Sequence, residues 1–296
     1  DRLMALSPGA DILGLERIHR LLARLGDPQY HLPPVFHVAG TNGKGSTCAF
    51  LRAAMEADGL CVHAYTSPHL VRFNERIRVA GRLISDDALA PLLEEVLDRG
   101  GDIGASFFEV TTAAAFLAFS RTPADACILE VGLGGRLDAT NVLRDTAVCG
   151  IAQLGIDHEA FLGPNIEGIA REKAGIAKPG RPMVTQSYPF DVEDAVREVA
   201  DGIGAPLFVL GKDWAIERRG DGLLYSDARG LLELPLPRLA GAHQHRNLGL
   251  AVAMIRHQDR LTLSENALRL APVRAHWPAR MQHLSSGPLT AFLPDG

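Results

Sequence analysis

The chain is expected to fold as a doubly wound, mainly parallel α/β sheet with a phosphate-binding loop and a small antiparallel addition. Three observations predict this. Short apolar runs alternate with helical patterns from Val35 to about residue 210. A glycine-rich turn with one lysine, Gly40-Thr-Asn-Gly-Lys-Gly-Ser46, joins the first apolar run to a helix. From Trp214 to Leu234 the pattern becomes strand-like around a Gly220-Asp-Gly222 turn.

The elements follow in order. Val35–Ala39 reads as a buried strand, and a helical pattern from Cys48 to Ala57 stops at Gly59. Residues 61–66 are strand-like, so the three form a βαβ unit with a right-handed crossover. Ser85-Asp86-Asp87 opens a helix through Leu92, Leu93, Val96 and Leu97, which ends at Gly100-Gly101. Phe108–Ser120 is an alanine-rich packed helix, and Ala126–Val131 and Ala147–Gln153 are central strands. Pro164 begins a helix through Ile166, Ile169, Ala170 and Ala174. Pro182–Gln186 and Pro206–Leu210 are further strands, and Ala242–Gln258 is helical. Leu289–Leu293 reads as one more strand, after which the chain stops at Gly296. The expected division is therefore 1–284 as one nucleotide-binding domain and 285–296 as the first strand of a second, truncated α/β domain.

With 30 Lys and Arg against 35 Asp and Glu, the chain carries a net charge of −5. It has no basic block, which disfavours nucleic acid as a partner. The four cysteines, at 48, 61, 127 and 149, form no CxxC and suggest no pairing; two lie in apolar runs, as in a reducing compartment. No apolar run is long enough to span a membrane, and no signal peptide is visible. A cytoplasmic monomer acting on small molecules is expected.

The loop supplies the clearest chemistry. Glycines let backbone N–H groups turn toward one anion, Lys44 adds a point charge, and Ser46 or Thr47 can reach a phosphate-bound magnesium ion. Gly45, between the lysine and Ser46, departs from the common GxxxxGK[ST] spacing. Cys127-Ile-Leu-Glu130 is a strand ending in a carboxylate, placed as a neighbouring strand delivers an acid to magnesium. Asp138, beyond a run of glycines, either meets a ligand or caps the next turn. His158 is either structural or a ligand, and Arg171-Glu-Lys173 is either functional or a solvated helix face. These residues alone indicate a magnesium-dependent nucleotide hydrolase or transferase.

Taken together, the motifs resemble the folylpolyglutamate synthase/dihydrofolate synthase family, a branch of the Mur ligase superfamily. The resemblance rests on Gly40–Ser46, Thr66-Ser-Pro-His-Leu70, Phe73-Asn-Glu-Arg-Ile77, Phe108-Glu109, Glu130-Val-Gly-Leu-Gly-Gly-Arg-Leu-Asp-Ala-Thr-Asn141, Asp157-His158, Arg171-Glu-Lys-Ala-Gly-Ile176, Lys178-Pro-Gly180 and His243-Gln244 with Asn247. It implies a Mur-ligase-type ATP-binding domain and an ATP-dependent carboxylate–amine ligase. Such an enzyme joins L-glutamate to dihydropteroate, tetrahydrofolate or both through an acyl phosphate, with two magnesium ions. Thr41, Asn42, Gly43, Lys44, Gly45, Ser46, Asn247, Arg280 and Asp295 would contact ATP. Ser67, Glu130, His158 and a carbamylated Lys173 would hold the metals, and Lys44, Glu130, His158 and Lys173 would be catalytic. Leu13, Gly14, Thr66, Phe108, Leu137, Asp138 and Ala139 would face the pterin substrate. Ala279 stands where the family usually has glycine, and Leu248 where it usually has alanine. Two alternatives remain: a Mur-type cell-wall amino-acid ligase, disfavoured by Gly45 and by only 34 residues before Val35, and a nucleotide-binding module without ligase activity, disfavoured by the joint presence of Glu130, His158 and Lys173.

Overall fold

The computed structural model describes residues 2, 3, 6, 13–156, 161 and 163–279. His158, Arg280, Asp295 and the expected strand Leu289–Leu293 lie outside the described residues, as does the boundary at 284. Among the described residues one eight-stranded sheet forms the frame, in the order β4-β3-β2-β5-β1-β6-β7-β8. β1 (Val35–Ala39), β2 (Val62–Tyr65), β5 (Ala126–Glu130), β6 (Val148–Ile151), β7 (Met183–Thr185) and β8 (Leu207–Val209) run parallel. A short hairpin, β3 (Ile77–Val79) and β4 (Arg82–Leu83), adds an antiparallel edge.

The central strands are apolar and fully buried because helices cover both faces. On one face lie α1 (Glu16–Arg24), α3 (Asp86–Gly100) and α4 (Phe107–Ser120) beside β2 and β5, with α5 (Ile166–Ala174) and α6 (Phe190–Ile203) beside β6 to β8. The other face carries α2 (Lys44–Ala57), α7 (His243–His257) and α8 (Glu265–Arg274). The strand order reverses at β1, whose neighbours β5 and β6 follow it much later in the chain. Open α/β sheets bind ligands outside the carboxyl ends of the strands at such a switch point. The segments after β1, β2, β5 and β6 are the ones carrying the expected site residues.

The antiparallel addition is a three-stranded sheet of β9 (Trp214–Arg219), β10 (Gly222–Asp227) and β11 (Gly230–Pro235). It covers α7, which is thereby held between two sheets. The approach is close: a Cβ at Gly249 would stand 2.7 Å from Ile216 and 2.8 Å from Trp214.

The sequence-predicted elements form with boundary shifts of a few residues. The largest is at α2, which begins at Lys44 rather than Cys48, because Gly43 at φ 85° starts the helix inside the glycine loop. α1, α6, α8 and the β3–β4 hairpin add to the elements expected from sequence. The spacing of Val192, Ala195, Val196 and Ala200, all buried, does carry the helical signal for α6.

A buried ion pair joins α7 to the small sheet. Arg256 donates to Asp227 from Nε at 2.8 Å and from Nη2 at 2.7 Å, and the Tyr225 hydroxyl donates to Asp227 at 3.0 Å. The Asp227 side chain is only 1 % exposed, so removing the arginine strands a buried charge. Arg256→Met is expected to lower unfolding free energy by about 3–5 kcal/mol. The double variant Arg256→Met with Asp227→Leu should recover most of that loss. Urea denaturation checks both, and a single-variant loss below about 1 kcal/mol would contradict the bridge's role.

Candidate active site

The loop between β1 and α2 lies at the centre of a cleft of about 1220 Å³. Thr41 to Ser46 line it, as do Ser67, Glu130 and Asn247. Gly43 takes the left-handed backbone that aims the first N–H groups of α2 at the cleft, as an anion requires. The loop is tied to the exit of β6: Thr41 N–H and Asn42 N–H donate to Gln153 O, and the Thr41 hydroxyl bonds Gly155 at both N and O. Asn247 packs so closely on Gly43 that no side chain fits there. Asn247 is itself fixed by Gln186 and Gln244, and Gln244 donates to the Ser46 hydroxyl at 3.2 Å. The departure at Gly45 has a packing reason: a Cβ there would lie 2.5 Å from the Trp277 indole.

Lys44 Nζ donates to Gly40 O at 2.9 Å and Thr41 O at 3.3 Å. Lys173 Nζ, 2 % exposed on α5, donates to the same Gly40 carbonyl at 3.1 Å. Glu130 ends β5, in register with Val38 of β1, and its carboxylate accepts from Ser67 N–H at 3.2 Å. Lys173 is positioned by the glycine-rich run after β5. A Cβ at Gly135 would stand 2.6 Å from Glu172 O and 2.9 Å from Lys173 Cα. Arg136 N–H donates to Glu172 O at 2.7 Å, and its guanidinium pairs with the Glu172 carboxylate at 2.8 Å. The two motifs that stand out in sequence are thus two sides of one contact.

Among the described residues no group of three or more His, Cys, Asp or Glu could hold a metal by itself. The donors at hand, the Ser67 hydroxyl and the Glu130 carboxylate, are hard oxygens beside a phosphate seat. That set fits magnesium, which keeps several waters and takes one or two carboxylates together with substrate phosphates.

Opposite the loop stands an apolar wall. Leu13, Gly14, Phe108, Leu137, Asp138 and Ala139 all line the cleft. Thr66 does not: it borders a separate cavity of about 420 Å³ with Cys48, Arg52 and Trp277. Its N–H and hydroxyl donate to Arg76 O and Glu75 O, at 2.9 and 3.5 Å, which ties it into the β2–β3 pairing. Arg17 with Glu109, Phe107, Arg76, Arg218 and His243 also line the cleft, beyond the residues singled out for it from sequence. The Arg17–Glu109 ion pair, at 3.0 Å, joins residues too distant in the chain for any local pattern to reveal.

Asp138 caps the next turn and also borders the cleft. Its carboxylate accepts from the N–H groups of Gly132, Leu133 and Thr140 at 2.9–3.0 Å and from the Thr140 hydroxyl at 2.5 Å. It organises the glycine-rich loop. Burial pushes the carboxyl above its ordinary range, and these hydrogen bonds oppose the rise. The Thr140 hydroxyl, donating to Asp138, accepts from His37 Nε2 at 2.8 Å. His37 is fully buried on β1, and its Nδ1 has no partner among the described residues. Burial, and then the nearby Lys178 ammonium, hold its pKa down at about 3.

No family model matches the chain. The dihydrofolate synthase/folylpolyglutamate synthase of Escherichia coli strain K12 is 40 % identical over 281 residues, covering 95 % of this chain and 64 % of that protein. The protein of the same name from Bacillus subtilis strain 168 is 37 % identical over 290 residues, covering 93 % and 67 %. A solved structure of a bifunctional folylpolyglutamate synthase/dihydrofolate synthase with Mn, AMPPNP and L-glutamate bound aligns with a TM-score of 0.85. Its identity is 36 %, over 96 % of this chain and 67 % of that one. The chain thus spans about two thirds of the length of these relatives.

The His37 shift makes a pH prediction. Between its ordinary value of 6.5 and its folded value of about 3, the unfolded chain binds a proton that the folded chain refuses. His37 therefore withdraws nothing above about pH 6.5, and stability falls as pH drops, by up to about 1.4 kcal/mol per unit. In His37→Gln, whose amide can still donate to Thr140, the stability profile between about pH 6.5 and pH 4 should be flatter by that slope. Urea unfolding across this range checks it; parallel curves for the two proteins would contradict a buried neutral imidazole.

Proposed function

The chain belongs to the folylpolyglutamate synthase/dihydrofolate synthase family, and from this we propose that it carries the ATP-binding part of a ligase joining L-glutamate to a pteroate-type acid. The observation that carries the reading is the single cleft that brings the phosphate loop, Glu130 and Ser67 against an apolar wall of Leu13, Phe107, Phe108 and Leu137. A polyphosphate fits one side and a flat aromatic acid the other. The acid is dihydropteroate, a tetrahydrofolate, or both.

The chemistry follows from that arrangement. A carboxylate oxygen of the acid attacks the γ-phosphorus of ATP, giving an acyl phosphate and ADP. The glutamate nitrogen then attacks the acyl carbon, phosphate leaves, and the nitrogen loses a proton. The N–H groups at the start of α2 hold the phosphates, and Lys44 turns its ammonium from the loop carbonyls to the phosphate oxygens. Asn247 and Ser46 keep the loop in register, and Arg280 and Asp295 complete the nucleotide contacts in this reading. Ser67 and Glu130, joined by His158 and Lys173, are the residues that would hold two magnesium ions. Magnesium, when bound, spreads the charge of the transferring phosphoryl group.

Lys173 is the carbamylated residue of this reading. Its neutral Nζ adds to the carbon of CO2 and releases a proton, giving an anion beside the phosphate loop. Residues 1–284 form the ATP-binding domain. The protein works as a cytoplasmic monomer on small molecules, without nucleic acid. Its location rests on the absence, among the described residues, of a helix able to cross a membrane, and on four free cysteines.

The test is phosphate release by the full-length ligase that contains this chain, in the presence of ATP, a pteroate-type acid and L-glutamate. Release should require all three, and Lys44→Ala should lower the rate by several orders of magnitude. Release without acid or glutamate would replace the ligase with a hydrolase. A Lys44→Ala rate above about a tenth of wild type, less than ~1.4 kcal/mol in barrier, would remove Lys44 from the phosphate site.

A further inference from the structure

Arg76 lines the cleft yet is 9 % exposed, and it has no carboxylate partner among the described residues. Its guanidinium is held in place. Nε donates to His69 Nδ1 at 2.8 Å, and the Phe73 and Phe107 rings flank it at 5.8 and 5.5 Å from its central carbon. Nη1 and Nη2 make no hydrogen bond among the described residues. The acids that could pair with it are engaged elsewhere. Glu75 accepts three backbone N–H groups, from Leu70, Val71 and Arg72. Glu109 takes Arg17 and Ser106 N–H, and Glu130 takes Ser67 N–H.

The fork therefore faces the cleft with its outer nitrogens open to a ligand, and its planar geometry matches a carboxylate. Position narrows the ligand. The Arg76 carbonyl accepts from Thr66 N–H, one residue before Ser67, while its side chain touches Phe107 of the apolar wall. The guanidinium therefore stands where that wall meets the Ser67–Glu130 group. An aromatic acid lying on the wall must bring its carboxylate to this junction to reach the γ-phosphate. The phosphate seat itself is already supplied by the loop and α2.

We propose that Arg76 receives the carboxylate of the acid substrate, with His69, Phe73 and Phe107 fixing the plane of its fork. The inference rests on the ligase reading and names the residue that selects an acid over a neutral pterin. The experiment measures dissociation constants of a pteroate-type acid, of its analogue with hydrogen in place of the carboxylate, and of ATP. It compares wild-type full chain with Arg76→Met and Arg76→Lys. The acid should bind Arg76→Met on the order of 100-fold more weakly, while the analogue and ATP bind as before. Arg76→Lys should recover only part of the loss, because an ammonium supplies the charge without the fork. Equal weakening of acid and analogue in both variants would reduce Arg76 to wall packing and overturn the proposal. A loss confined to ATP would also overturn it and assign Arg76 to the nucleotide. If wild type binds neither pterin compound, the ligase reading fails first and this inference with it.

Discussion

The Gly40 carbonyl is the point on which the site depends. It directly follows the central strand, and it accepts from Lys44 of the phosphate loop and from Lys173 of α5. The Lys44 and Lys173 ammonium groups are thereby brought together on one oxygen. The fold enforces the pair, because Lys44 belongs to the first turn of α2 and Lys173 is pinned by the glycine-rich run on α5. In the proposed ligase, ATP phosphates would bring negative charge to Lys44, and a carbamate at Lys173 would place an anion beside it.

Close packing is the second constraint, and it accounts for Gly45 and Gly135 in the site, while Gly43 also needs its positive φ. Gly43 leaves room for Asn247, Gly45 for Trp277, and Gly135 for the backbone of Glu172 and Lys173. The pattern in the sequence is thus a record of what packs on the loops. Asp138 adds to the same end: its carboxylate gathers the turn that follows Glu130, and through Thr140 it is coupled to His37 in the sheet.

Much of this was legible in the sequence because the phosphate loop, Glu130 and the segment from Gly132 to Asn141 are local. A strand, a turn and a helix start lie within a few residues of each other. The parallel sheet followed from alternating apolar runs, and the antiparallel addition from the turn at Gly220. The helix α6 carried a readable period between two proline-led strands. What sequence could not give are pairings fixed by the fold. Arg17 meets Glu109, Arg76 meets His69 and two phenylalanines, and Arg256 meets Asp227 only once the layers assemble. Thr66 illustrates the converse: its neighbour Ser67 reaches the cleft, whereas its own polar groups are taken up by the β2–β3 edge. His158, Arg280 and Asp295 lie outside the described residues.

The central proposal is that Lys173 works as a carbamate anion beside Lys44. The most direct measurement is carbon-13 NMR of the active full chain after equilibration with labelled bicarbonate, in wild type and Lys173→Ala. A carbamate resonance present in wild type and absent from the variant, with activity lost on removal of CO2, is the expected result. An active enzyme whose Lys173 remains an unmodified amine would contradict the account.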